Sequence, residues 1–174
     1  MVSRAAVSRA ERAWAALAEV PDPEIPVVSI RELGILREIN EYGNRLEVVI
    51  TPTYSGCPAM GQIEDDVRAA LAARQLSATV VTRLAPAWTT DWISQDARDK
   101  LRAFGIAPPQ ATQAAPAGGH VLRFAARRPA AEAVPCPRCG SGNTTETSHF
   151  SSTACKALYR CLDCLEPFDY FKPH

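Results

Sequence analysis

Two Cys-x-x-Cys pairs, Cys136-Pro137-Arg138-Cys139 and Cys161-Leu162-Asp163-Cys164, stand 21 residues apart near the end of this 174-residue chain. Each pair turns back on itself and sets two sulfurs on one side, so the four together match a tetrahedral four-cysteine zinc site. Four thiolates also hold a single iron or a cluster, and two unpaired redox-active pairs are the remaining reading. Gly140 and Gly142 supply tight backbone behind the first knuckle. A module of about 40 residues has too little core to fold alone. Structural zinc, which contributes roughly 10–16 kcal/mol in small peptides, makes up that deficit.

Two further cysteines lie outside this set. Cys57 sits in Thr53-Tyr54-Ser55-Gly56-Cys57-Pro58, where an expected strand hands over to an expected helix. Its sulfur is then expected near the free amides of that helix, a position that lowers a thiol's pKa and suits a nucleophile or metal ligand. A buried cysteine filling a small gap is the plainer alternative. Cys155, six residues before Cys161, reads either as a spare buried thiol or as an additional ligand at a transient iron site, with His149 beside it. Asp22 and Glu24 lie on a loop stiffened by Pro23 and Pro26. Taken alone they read as exposed turn residues, Asp22 capping its own turn. With His120, His149 and His174 the only histidines, a His-rich catalytic metal site is not expected. No Gly-rich phosphate loop, serine-nucleophile motif or His-Glu-x-x-His pattern occurs.

The elements that must position these residues follow from apolar spacing. Val7, Ala10, Trp14 and Leu17 predict a helix ending before Pro21. Gly34–Ile39 and Leu46–Thr51, separated by a turn-rich gap, predict a hairpin with Leu46, Val48 and Ile50 on one face. Met60, Ile63, Val67 and Leu71 predict a second helix from Pro58 to about Arg74. A strand over Ala78–Leu84 and a short helix over Asp96–Phe104 complete an α+β layer pair. Domain boundaries are expected at 1–106 for this two-layer domain, 107–133 for a linker, and 134–174 for the β-rich ribbon. Ala, Pro and Gly fill 16 of the 27 linker positions, leaving one candidate strand at His120–Phe124 and making relative motion of the modules the expectation.

Composition excludes several classes of function. Nineteen basic residues balance nineteen acidic ones and neither module is polarised, so no field drives nucleic-acid binding. No apolar run approaches the roughly 20 residues of a membrane span, and Arg4, Arg9, Glu11 and Arg12 interrupt any secretory segment. The expectation is a cytoplasmic protein, where six cysteines serve metals or redox chemistry rather than a disulfide framework.

Taken together, Asp22-Pro23-Glu24-Ile25-Pro26, Leu33-Gly34-Ile35 and Thr51-Pro52-Thr53-Tyr54-Ser55-Gly56-Cys57-Pro58 resemble the MIP18 (DUF59) domain. The later stretches Cys136-Pro137-Arg138-Cys139-Gly140-Ser141, Ser152-Thr153-Ala154-Cys155-Lys156 and Cys161-x-x-Cys164-x-Glu166-Pro167-Phe168 resemble the D-subunit family of bacterial phenylacetyl-CoA epoxidase. Ser151 stands where that family pattern carries glycine. The resemblance implies an accessory subunit, not catalytic by itself, that supports iron or iron–sulfur maturation or assembly of a multicomponent oxygenase. It implies di-iron oxygenase subunits as partners, with the reductase a further one, and structural zinc plus transient iron or an iron–sulfur cluster. It also implies that Cys57 is the reactive or iron-handling thiol, with Asp22 and Glu24 lining its pocket. Two other roles remain compatible with the sequence. One is a scaffold binding partners through the ribbon and a Trp88/Trp92 surface; the other is an electron-transfer subunit with redox iron in the ribbon.

Overall fold

The computed structural model describes residues 7–110 and 133–173. Helix α1 (Arg9–Leu17) starts at Ser8, whose hydroxyl accepts from the Glu11 amide while the Glu11 carboxylate accepts from the Ser8 amide. This reciprocal capping box satisfies two amides that would otherwise lack partners. Ala13 and Leu17 are its buried face, and Val7 lies outside the core. Strands β1 (Leu36–Tyr42) and β2 (Arg45–Ile50) form the expected hairpin, closed through Gly43-Asn44. The chain then crosses through α2 (Met60–Ala72) into β3 (Ala78–Thr82), which pairs parallel to β2. A parallel pair needs such a crossover, and the helix supplies it. The resulting mixed sheet has the order β1-β2-β3.

Leu46, Val48 and Ile50 pack with Ala13 and Leu17 of α1 and with Ile63, Val67 and Leu71 of α2 in one core. The β-period and the helix period read from sequence therefore meet face to face. After a short 3-10 turn at Thr90–Trp92, helix α3 (Gln95–Phe104) runs from its Ser94 cap to Gly105, whose φ of 96° turns the chain back. The C-terminal module is a second sheet. Strands β5 (Thr144–Ser148), β6 (Lys156–Cys161) and β7 (Pro167–Phe171) make an antiparallel meander. Its free edge takes up β4 (Ile106–Ala107), which pairs parallel to β7.

That pairing corrects one expectation. Ala107, read as the first linker residue, is a buried strand residue in the ribbon's sheet. Phe171 and Cys155 of the ribbon also belong to the core of the α+β layer. Packing of this kind opposes the free relative motion expected of the modules. The candidate strand at His120–Phe124 lies outside the described residues. Among those described, no helix is long and apolar enough to cross a membrane.

Candidate metal-handling site

Asp22 is fixed by its own loop. Its amide donates to Val28 O at 2.9 Å, and its Oδ1 accepts from the amides of Glu24 at 2.9 Å and Ile25 at 2.8 Å. The capping role expected of it is present, but the carboxylate is buried rather than exposed. Glu24, two residues on, stays exposed. Cys57 is held in the turn between β2 and α2, where its amide donates to Tyr54 O at 3.2 Å. Gly34 lets this wall close. Its φ is 71°, and a Cβ there would stand 2.6 Å from Trp92 Cβ, so its neighbours Leu33 and Ile35 can pack inward.

These residues line one small cavity of about 20 Å³, and the ribbon closes it. Thr153, Cys155 and Phe171 come from the C-terminal module; Asp22, Glu24, Tyr54 and Cys57 come from the first. A larger, open depression of about 530 Å³ lies near the end of α1, beside the Glu32–Lys100 ion pair. It gathers no thiol, so the smaller cavity is the better candidate for metal chemistry.

Burial sets the protonation of this cavity. It pushes the Asp22 carboxyl up, against the lowering effect of the Ile25 and Glu24 amides. It pushes the Cys57 thiol up as well, and the Ala59 amide only partly opposes it. This overturns the expectation of a lowered thiol pKa. Helix α2 begins at Met60, with Ala59 as its cap, and the loss of hydration around the sulfur outweighs the nearby amide. Burial likewise pushes Cys155 up, with Thr153 and the positive charge of Lys156 opposing. Thr153 Oγ1 lies 3.1 Å from Cys155 Sγ, and buried Lys156 pairs with Asp169 at 3.0 Å. With burial raising both, the two thiols stay mostly protonated until a cation displaces their protons.

The ribbon thiols have a different geometry. The ligating atoms of Cys136, Cys139, Cys161 and Cys164 lie within 4.8 Å of one another. Cys136 Sγ is 3.8 Å from Cys164 Sγ, and Cys139 Sγ is 3.6 Å from Cys161 Sγ. A tetrahedron of four sulfurs with Zn–S near 2.3 Å has edges of about 3.8 Å, so the thiols fit zinc as they stand. Zinc held this way is structural, because four thiolates leave no position open for substrate. The knuckles are tied from outside by Asp163, which accepts from Asn143 Nδ2 at 2.7 Å and from the Ser141 hydroxyl. Sequence reasoning missed this clamp, although polar residues beside both knuckles were its available signal.

Other expectations meet the structure unevenly. His149 is exposed, pairs with Glu146 at 3.2 Å and does not line the cavity that Cys155 lines. Trp88 offers no surface, being buried with its indole N–H donating to Leu33 O at 3.0 Å. Trp92 is half-buried beneath the Arg37 guanidinium. Ser151 needs no glycine-like backbone; its amide donates to Lys156 O at 3.0 Å and its hydroxyl to Asp169.

Two family models match separate parts of the chain. Residues 10–83 match the model of the iron-sulfur cluster assembly protein family, and residues 124–172 match the PaaD zinc beta ribbon domain. Among solved structures, the chain is similar to a DUF59 domain of Bacillus anthracis, at 29% identity over 53% of this chain and 90% of that one, with a TM-score of 0.49. It is also similar to a conserved hypothetical protein of Thermotoga maritima, at 28% identity over 55% of this chain and 94% of that one, with a TM-score of 0.46. A curated relative from Escherichia coli (strain K12), described as the D-type subunit of 1,2-phenylacetyl-CoA epoxidase, is 48% identical over 160 residues, 91% of this chain and 90% of its own length. The chain belongs to the phenylacetyl-CoA epoxidase D-subunit family that this Escherichia coli protein represents.

Proposed function

We propose that this protein is a non-catalytic accessory subunit of the phenylacetyl-CoA epoxidase system, handling iron or an iron–sulfur unit for the di-iron oxygenase subunits, with the reductase as a second contact. In this reading Cys57 takes the cargo metal, Asp22 and Glu24 supply oxygen donors, and zinc on Cys136, Cys139, Cys161 and Cys164 is structural. Family membership and the match of residues 10–83 to an iron–sulfur assembly model support it. The observation that carries it is the cavity shared by Cys57 and the two carboxylates. The test is iron content of the oxygenase purified from cells that carry wild-type protein or Cys57→Ser. Lower iron loading with an intact fold is the expected result, and full loading would sink the reading.

One observation favours a scaffold as the second reading. Leu162 and Leu165, on the second knuckle, are about half exposed. A rigid turn carrying two apolar side chains suits docking to a partner. If docking is the whole role, Cys57→Ala supports full epoxidase activity in cells, while polar substitutions at Leu162 and Leu165 abolish it.

A further inference from the structure

We infer that Cys155 of the ribbon is the second thiol of the Cys57 site, and that the two together bind a single thiophilic divalent cation of the ferrous class between the modules. The inference rests on the iron-handling reading of Cys57 and deepens it. Cys57 and Cys155 are 98 positions apart in sequence, yet both line the same cavity. Cys155 does not belong to the zinc set, whose four ligands are complete without it. It instead joins the core of the opposite module, with only 8% of its surface exposed.

Size and donor chemistry narrow the ligand. A cavity of about 20 Å³ has room for about one water-sized body. One ion fits that space; a cluster with several metals and bridging sulfides does not while the ribbon is in place. Two sulfur donors select a soft or borderline transition metal over magnesium or calcium. Asp22 adds an oxygen donor, since the Glu24 and Ile25 amides engage its Oδ1 and leave Oδ2 to the ion. Glu24 stands on the exposed side, where an arriving ion meets it first.

Among the described residues, the zinc set is the group whose ligating atoms already converge. The cavity's donors face one space without meeting at a point, so binding must draw them inward. That arrangement suits an ion held briefly and handed on. Each thiol releases its proton to solvent as its sulfur takes the ion. One divalent cation thus replaces two protons, and the metal keeps its oxidation state. Because each module supplies one of the two sulfurs, displacing the ribbon separates them and releases the ion.

The test is an anaerobic Co(II) titration of the zinc-loaded full-length protein, comparing wild type, Cys57→Ser and Cys155→Ser. Thiolate-to-cobalt absorption should saturate at one equivalent in the wild type. Either serine variant should weaken binding by about 10-fold or more, with zinc content unchanged. Wild-type cobalt binding by Cys155→Ser together with its loss in Cys57→Ser would overturn the two-thiol site and leave the Cys57 reading standing. Binding unaffected in both variants, or absent in the wild type, would overturn both. Should a variant fail to fold, alkylation mapping of the wild type decides. Co(II) should shield Cys57 and Cys155 together; shielding of Cys57 alone overturns the pair.

Discussion

The ring of Phe171, at the end of the ribbon's last strand, lies 5.9 Å from the ring of Trp88 at a tilt of 43°. Both rings are buried, and the Trp88 indole is anchored to Leu33 O in the α+β layer. This contact joins the ribbon to the wall of the cavity that holds Cys57.

Phe171→Ala should therefore act on both modules. Truncating a fully buried phenylalanine costs about 3–5 kcal/mol. Chemical denaturation should show a loss of that order, together with faster alkylation of Cys57. A loss below about 1 kcal/mol would mean that the ribbon's packing contributes little.

Zinc removal should open the same cavity from the other side. Without the metal the four ribbon thiols lose their common partner and the meander loses its main support. Chelation under reducing conditions should leave the helices of the first module in the circular dichroism spectrum. It should raise the Cys57 alkylation rate by about 10-fold or more, since the ribbon's Thr153, Cys155 and Phe171 close the cavity over this half-buried thiol. An unchanged rate would show that the ribbon stays seated without zinc.

Asp22→Asn and Asp22→Ala should differ. Asparagine keeps an oxygen to accept from the Glu24 and Ile25 amides, whereas alanine leaves both amides without it, costing on the order of 1–2 kcal/mol. Burial raises the carboxyl's folded pKa above its ordinary 3.8. Its contribution to stability is therefore fully present below that value and is lost as pH rises through the folded pKa. At neutral pH Asp22→Asn should be as stable as wild type or more so, and its stability should fall less between acid and neutral pH. Its cobalt affinity should be weaker if the carboxylate is a ligand. Denaturant midpoints across that pH range, with metal titrations beside them, check both parts.

Cys57 should be slow to react at neutral pH. Burial lifts its thiol above the ordinary 9.0, so the thiolate that alkylating agents require is scarce. The alkylation rate should keep climbing past pH 9. A plateau near neutrality would show that the amide at Ala59 outweighs desolvation after all.

The parts legible in the sequence were those set by local period or spacing. Leu46, Val48 and Ile50 announced a strand face, and Ile63, Val67 and Leu71 a helix face, because each pattern repeats at its element's own geometry. The ribbon was legible for the same reason, its ligands paired at a fixed short interval. The neighbourhood of Cys57 was legible only through resemblance, since Asp22 and Glu24 look like ordinary turn residues by type. What stayed hidden depends on contacts far apart in the chain. No local pattern tells that Cys155 meets the wall around Cys57, or that Trp88 faces Phe171. The direction of the Cys57 shift was misread because desolvation is a property of packing, while the helix signal is local.

The pairing of Ile106 and Ala107 with the ribbon has a practical consequence. The chain leaves the ribbon's sheet after Ala107, and a little further on Gln110 Nε2 donates to the Ala133 carbonyl at 2.8 Å. The two ends of the intervening segment are thus already fastened beside each other. A chain nicked between Gln110 and Ala133 should then still run as one body, held by the Ile106–Ala107 strand pairing and by Phe171 and Cys155 in the shared core.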